Sequence, residues 1–302
     1  MIPYAVGRAV HAEAYGHTHP GQRRRENQDS FLIADLGAPV DEGPWRVGTD
    51  GDEPARRFTL GEHGLLAVVA DGMGGAAAGA LASRLAVASI YAALSNRWTA
   101  SRDGSPARFA ALLREALEDA NGAIHRHARR DPACDGMGTT ATAAGVLDGC
   151  AFLAQVGDSR AYLVRGGRAA QLTRDQSLVQ QLMDRGALTA EEAERSGQAS
   201  VLLQALGPRP DVTVDLTWQQ LRRGDVLVLC SDGLFRAVAP DEIAAAAARW
   251  HDTADLCRVL VDAANDRGGP DNVTVLAIRV DGAGLDVPQP GDTVGWAPYH
   301  PG

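Results

Sequence analysis

The sequence predicts an α+β fold in which antiparallel sheets carry helices on their outer sides, and three observations lead to it. Two strand-like runs, Thr139 to Leu147 and Cys150 to Val156, are separated only by Asp148-Gly149, a tight hairpin signature. A second pair, Arg160 to Val164 and Arg168 to Leu172, is joined by Arg165-Gly166-Gly167, too short for the crossover that parallel strands need. Helical patterns stand before and after these hairpins, which argues against a doubly wound nucleotide-binding fold.

The remaining elements follow in chain order. The first 20 residues read as an N-terminal arm. Phe31 to Ala34 and Leu65 to Ala70 are apolar runs of strand length. The Gly-, Pro- and acid-rich stretch between them, residues 37–63, reads as a polar surface insertion in which Trp45 is either a docking residue or part of a folded-back cluster. Ala76 to Trp98 and Phe109 to Arg129 carry apolar residues at helical spacing. After the hairpins, Asp175 to Arg185 and Thr189 to Ser196 are short polar helical segments inside a flap over residues 175–206. A strand at Val226 to Cys230, helices at Asp241 to Trp250 and Asp255 to Asp266, and a closing strand at Val273 to Val280 complete one domain over 21–280. Residues 281–302 read as a Pro/Gly-rich tail, and no repeat stands out at solenoid periods.

Composition narrows the function. The 302 residues hold 29 Lys+Arg against 38 Asp+Glu, a formal charge of −9, and are 45% hydrophobic. That apolar fraction supports a sizeable core, and the acidic balance argues against a general nucleic-acid or membrane-surface binder while leaving room for a local phosphate site. No run reaches the roughly 18 apolar residues of a membrane span and the N-terminus lacks a signal peptide's apolar segment, so no membrane span is expected, and the scattered cysteines fit a reducing cytoplasm. Cys134, Cys150, Cys230 and Cys257 form no Cys-x-x-Cys pair, which suggests neither a zinc site nor a disulfide framework.

The chemistry-bearing pattern is a set of aspartates at strand ends. LLAVVADG ends at Asp71, FLAQVGDS at Asp158 and VLVLCSDG at Asp232, while Asp271 precedes the strand VTVLAIRV and Asp29 the strand FLIA. One Asp-Gly after a strand is a turn. Five such acids on an antiparallel scaffold can share one rim, where their charges repel unless cations neutralise them. Oxygen-only donors select Mg²⁺ or Mn²⁺, and five carboxylates exceed what one such ion takes. Two ions a few Å apart are the usual device for attack of water on phosphorus. The run GQRRRENQDS adds a planar cationic fork suited to phosphate oxygens.

RRENQD, VADGMGG, MGTTAT, VGDSRAYLVR, LCSDGLF and GGPDNVTV, in this order from residue 24 to residue 275, resemble the motifs of the bacterial metal-dependent type 2C (PPM family) serine/threonine protein phosphatases. The resemblance implies a four-layer sandwich of two antiparallel sheets flanked by helices, with a metal centre between the sheets. It further implies hydrolysis of phosphoserine or phosphothreonine in proteins by a water bridging two Mn²⁺ or Mg²⁺ ions, with a possible third ion and no phosphoenzyme. Matched position by position, Asp71 bridges the two metals and the Gly72 carbonyl is a ligand of the second. Asp232 and Asp271 complete the first metal site, and Asp29 acts directly or through water. Asp158 helps hold the third ion. Arg24 is the phosphate-binding arginine, with Arg25 off by one position.

Several positions depart from the family pattern: Gln28 stands where many members have Glu, Met73 where eukaryotic members carry a histidine general acid, and Ala76 and Ala80 where bacterial members often have His and Glu. Gln176 replaces a frequent His and Gln204 the Arg of RALG. These changes bear on substrate preference and the third ion more than on core activity. His125 and His127, two apart on one helix, read as surface histidines, and Met137 as packing. The expected partners are phosphorylated proteins, with a Ser/Thr kinase and its substrates foremost. Two alternatives stay open: a catalytically weak metal-binding sensor or adaptor, and a phosphatase of an anti-sigma regulatory switch.

Overall fold

Asp148 and Gly149 have φ of 49° and 72°, the two positive values that a two-residue type I′ turn requires. The computed structural model describes residues 9–38, 46–47, 55–194, 196–198 and 200–300. Through that turn β7 (Ala141–Leu147) pairs antiparallel with β8 (Cys150–Val156). The other expected hairpin joins β9 (Arg160–Arg165) to β10 (Arg168–Gln171). The run expected as one strand from Thr139 breaks at Thr140, leaving β6 (Gly138–Thr139) to pair with the end of β5 (Leu65–Met73).

Two antiparallel sheets result. One has the order β10-β9-β12-β13-β1-β4 and the other β11-β8-β7-β5-β2-β3. Here β1 is Val10–His19, β2 is Asp29–Asp35, β3 is Arg46–Val47, β4 is Arg56–Leu60, β11 is Asp215–Gln220, β12 is Val226–Cys230 and β13 is Val273–Asp281. Their inner faces interdigitate Phe31, Ile33, Leu65, Val69, Leu229, Leu276 and Ile278. The outer face of the second sheet is covered by α1 (Ala76–Thr99) and α2 (Pro106–Arg130), and that of the first by α6 (Pro240–Arg249) and α7 (Thr253–Asp266). Four layers in the order helix, sheet, sheet, helix are thereby formed, with the antiparallel sheets and outer helices that the hairpins and helical patterns predicted.

The expected N-terminal arm is corrected. Residues Val10–His19 are β1, paired along its length with β13 and flanked on its other side by β4 (Arg56–Leu60) from the expected insertion. The sequence VHAEAYGHTH conceals the strand because His and Glu occupy its outward positions while Ala12, Ala14 and Tyr15 are buried. Strand β11 (Asp215–Gln220), a sheet edge, is not expected from the sequence either, nor are β3 and β4 within the expected insertion. The tail docks on β11: Trp218 N donates to Ala297 O at 3.1 Å and Tyr299 N to Leu216 O at 2.9 Å. Trp45 lies outside the described residues.

The segment Ala77–Thr99 of α1 is long and apolar enough to cross a membrane by length and composition. In this fold its Ala82, Val87, Ile90, Leu94 and Trp98 are buried against the second sheet and α2, each large side chain contributing about 1.5–3 kcal/mol. Within the flap, α3 is Leu178–Asp184 and α4 is Ala190–Glu194. Both are shorter than the periodicity suggested, because Ser177 caps α3 and Gly186, with φ of 68°, ends the following turn.

Candidate metal and phosphate site

The strand ends meet at one rim of the sandwich in a cleft of about 530 Å³. Asp71, Gly72, Met73, Asp158, Asp232 and Asp271 line it, with Arg24, Arg25, Gln28 and Arg236 at its wall and Ser200 and Leu202 contributed by the flap. Asp29 is not in that lining. It sits beneath, directly opposite Asp71 in the pairing of β2 with β5.

Backbone and hydroxyl groups fix these acids. Asp71 N donates to Thr140 Oγ1 at 3.0 Å, and Asp71 O accepts from Thr140 N and Thr139 Oγ1, both at 2.8 Å. The strand break at Thr140 and the Thr-Thr pair thus serve to hold Asp71. Gly72 is required by close approach: a Cβ there would stand 2.1 Å from Gly79 O and 2.7 Å from Gln28 O. Asp29 Oδ2 accepts from Ser231 Oγ and Thr274 Oγ1, both at 2.7 Å. Its Oδ1 is buried without a hydrogen-bond partner among the described residues.

The basic loop is tied to Asp271 through Asn272. The Asn272 amide donates to Pro20 O and Glu26 O and accepts from Gln28 N, all at 2.9 Å, while its backbone N donates to Asp271 Oδ1. This brings the Arg24 guanidinium 2.8 Å from Asp271 Oδ2 at the cleft mouth. Asp158 is held from the flap side, where Gln176 Oε1 accepts from Gly157 N at 2.9 Å and Gln176 N donates to Gly157 O at 2.8 Å. Gln176 Nε2 in turn donates to Asp215 Oδ2 at 2.9 Å.

The crowding shifts the acids' titration. Burial first, then Asp29, Asp232, Asp158 and Asp271, push the Asp71 carboxyl well above the usual carboxylate range. Burial raises Asp29 as well, against the two hydroxyl bonds that lower it. Asp158 is pushed up to about 7 by burial and then by Asp232 and Asp175. Asp232 is raised chiefly by burial, opposed by Arg236, whose Nη2 lies 3.0 Å from Asp232 Oδ2 and 3.9 Å from Asp158 Oδ2. By contrast Asp225, equally buried at the start of a strand, has its partner Arg165 at 2.6 Å and belongs to the frame. An acid-only donor set with an orphaned buried oxygen fits hard divalent cations.

Comparison with known proteins agrees. The sequence profile described as Protein phosphatase 2C matches residues 55–267. The chain belongs to this protein phosphatase 2C family. Its similar curated relatives include the serine/threonine protein phosphatase PstP of Mycobacterium tuberculosis, 39% identical over 215 residues, 71% of this chain but only 40% of PstP. Protein phosphatase PhpP of Streptococcus pneumoniae is 36% identical over 214 residues, 71% of this chain and 85% of that protein. A crystal structure of PstP superposes with a TM-score of 0.72 at 33% identity, covering 90% of this chain and 99% of that one. The PstP catalytic domain in complex with two manganese ions gives 0.69 at the same identity and coverage.

Within this phosphatase 2C frame, Asp71, Asp158, Asp232 and Asp271 converge with Arg24, and Asp29 stands one layer below. Arg236, Ser231, Thr274 and Asn272 escaped the sequence reading. Arg236 is the one with a readable signal, lying four residues after Asp232 and just past the short helix α5 (Asp232–Phe235). His125 is corrected: it is half-buried, with Nδ1 2.8 Å from Gly207 O, and ties α2 to the flap's exit. Met137 is buried as expected.

Proposed function

We propose that the chain is a metal-dependent protein serine/threonine phosphatase. The observation that carries the reading is the group of five mutually repelling carboxylates under a cleft with an arginine fork at its mouth. Asp71, Asp232 and Asp271, with the Gly72 carbonyl, would hold two divalent ions, Mn²⁺ or Mg²⁺, and Asp158 a third. Bound there, such ions activate water and offset phosphate charge.

The chain's own residues do the rest. Arg24 would take two non-bridging phosphate oxygens in a bidentate contact. Its bond to Asp271 keeps the fork at the cleft mouth before substrate arrives. Asp29, fixed by Ser231 and Thr274, would add its negative charge beneath Asp71 to the field that holds the ions. The flap edge at Ser200 and Leu202 borders the space where the peptide around a phosphoserine or phosphothreonine would lie. Substrates are then phosphorylated proteins, with a bacterial Ser/Thr kinase and its targets foremost, in the cytoplasm.

Hydrolysis of a phosphothreonine peptide and of p-nitrophenyl phosphate, each with and without Mn²⁺, tests the reading. Turnover of both only with the metal is expected. Full activity in excess EDTA, or silence toward both substrates with Mn²⁺, would overturn it.

A further inference from the structure

Away from the carboxylate cleft, at the far end of α2, His127, Asp131 and Cys134 bring one ligand atom each within 4.8 Å of one another. The spacing explains the convergence. Asp131 N donates to His127 O at 3.2 Å, so the helical frame runs on to the cap and places residues four apart on one side. A single 3₁₀ turn, Pro132–Cys134, then returns Cys134 to that side three residues later. Asp131 divides its oxygens: Oδ1 accepts from Ala133 N at 3.0 Å and starts the turn, while Oδ2 faces Cys134 Sγ at 3.8 Å.

We propose that these three side chains form a second metal site, of a chemistry different from the cleft's, which takes a borderline divalent ion, Zn²⁺ foremost. Imidazole nitrogen, carboxylate oxygen and thiolate sulfur are the zinc donor types. With bonds of about 2.0–2.3 Å, tetrahedral ligand atoms stand roughly 3.3–3.7 Å apart. The Asp131–Cys134 separation of 3.8 Å is already near that value, and the His127 ring nitrogen lies within 4.8 Å of both other ligand atoms. One carboxylate and one thiolate balance the ion's two charges, and three protein ligands leave a fourth position for water. Asp131 is exposed and Cys134 is 6% exposed, so the ion has an open approach and the sulfur a sheltered one. The site clamps the turn that feeds β6: Met137 N donates to Cys134 O at 3.1 Å, and Gly138 and Thr139 pair with Met73 and Gly72 in the cleft floor.

Cobalt(II) tests the site without reference to turnover, because a thiolate ligand gives an ultraviolet charge-transfer band that an all-carboxylate centre lacks. Titrating Co²⁺ into the full chain preloaded with Mn²⁺ should produce this band at one equivalent and lose it to equimolar Zn²⁺. Cys134→Ser should abolish it, and His127→Ala and Asp131→Asn should each weaken Co²⁺ binding by more than about tenfold. Cys150→Ser, which alters the half-buried thiol near Gln220, should leave it unchanged. Absence of the band at one equivalent, its survival in Cys134→Ser, or full affinity in His127→Ala would each overturn the proposal.

Discussion

Asp29 and Asp71 stand directly opposite each other in the antiparallel pairing of β2 with β5, Asp29 buried and Asp71 half-buried at the cleft. Like charges in that arrangement destabilise a sheet by about 0.2–1 kcal/mol even when exposed. The metal-free protein therefore carries strain at the point where ions would bind. Mn²⁺ at 100 times its Kd should add about 2.7 kcal/mol per site, and each kcal/mol should raise Tm by roughly 2 °C or more. Asp71→Asn should raise the metal-free Tm by about 2 °C while abolishing turnover. Differential scanning calorimetry decides it, and an unchanged or lower metal-free midpoint for Asp71→Asn would show that the opposed charges cost nothing.

Arg24 is expected to act on binding. A charge-assisted hydrogen bond contributes about 1.5–3 kcal/mol, so Arg24→Ala should raise KM for a phosphopeptide by about tenfold or more with kcat little changed. Lys should rescue it only in part, since an ammonium cannot fork. Arg25 also lines the cleft but has no bond to Asp271 among those described. Steady-state kinetics in which Arg25→Ala is damaging and Arg24→Ala silent would move the phosphate clamp by one residue.

The hairpins, the flanking helices and the convergence of strand-end acids were legible because each has a local cause: a two-residue turn, a helical period, an Asp after an apolar run. What stayed hidden depends on partners distant in sequence. Nothing near Asp225 tells it from Asp232 as a buried acid, yet Arg165 neutralises the first and other acids crowd the second. Strand β1 was hidden because its outward positions carry His and Glu, and β11 because an edge strand needs few apolar residues once the tail covers it.

Arg236 reaches both Asp232 and Asp158, so its guanidinium competes with any third ion for Asp158. Arg236→Ala should tighten Mn²⁺ binding at the weakest site by about fivefold, the equivalent of ~1 kcal/mol for a half-exposed pair. Isothermal titration calorimetry that shows unchanged or weaker binding at that site would mean Arg236 supports the carboxylates without occupying their cation position.

Tail docking should depend on acid pH. Asp292 accepts from Arg222 Nε and from Gln289 N, both at 2.9 Å, and the Arg222 bond in first place holds its carboxyl down at about 2. A depressed value in the docked state means that docking is fully favoured above the ordinary carboxylate pKa of about 3.9 and is lost as pH falls through about 2. The exposed Trp296 in this tail reports it. Its emission, taken as the difference from Trp296→Phe, should change over that window, and Arg222→Gln should move the midpoint upward. A transition unaffected by Arg222→Gln would detach the tail's hold from this ion pair.

The flap has two parts that shortening should separate. Its base is built into the sheet: Gln176 closes on Gly157 beside Asp158, Leu178 N donates to Val201 O at 2.9 Å, and Leu203 N to Gln176 O at 2.8 Å. Its outer part, α3 to α4, presents mostly polar side chains and buries little beyond Val179 and Ala193, so it should open at lower free energy than the sheets. Segments of that kind beside a cleft gate access and choose substrates. Replacing residues 184–198 with a short Gly-Ser link, which keeps Gln176, Ser200 and Leu203, should therefore lower kcat/KM for a phosphoprotein by about tenfold or more, while p-nitrophenyl phosphate, needing only the cleft and Arg24, loses little. Gln176→Ala should do the reverse, harming both substrates alike because it releases the Gly157–Asp158 turn. Equal loss toward both substrates on shortening, with Mn²⁺ affinity unchanged by calorimetry, would place the outer flap in the catalytic machinery instead of in substrate choice.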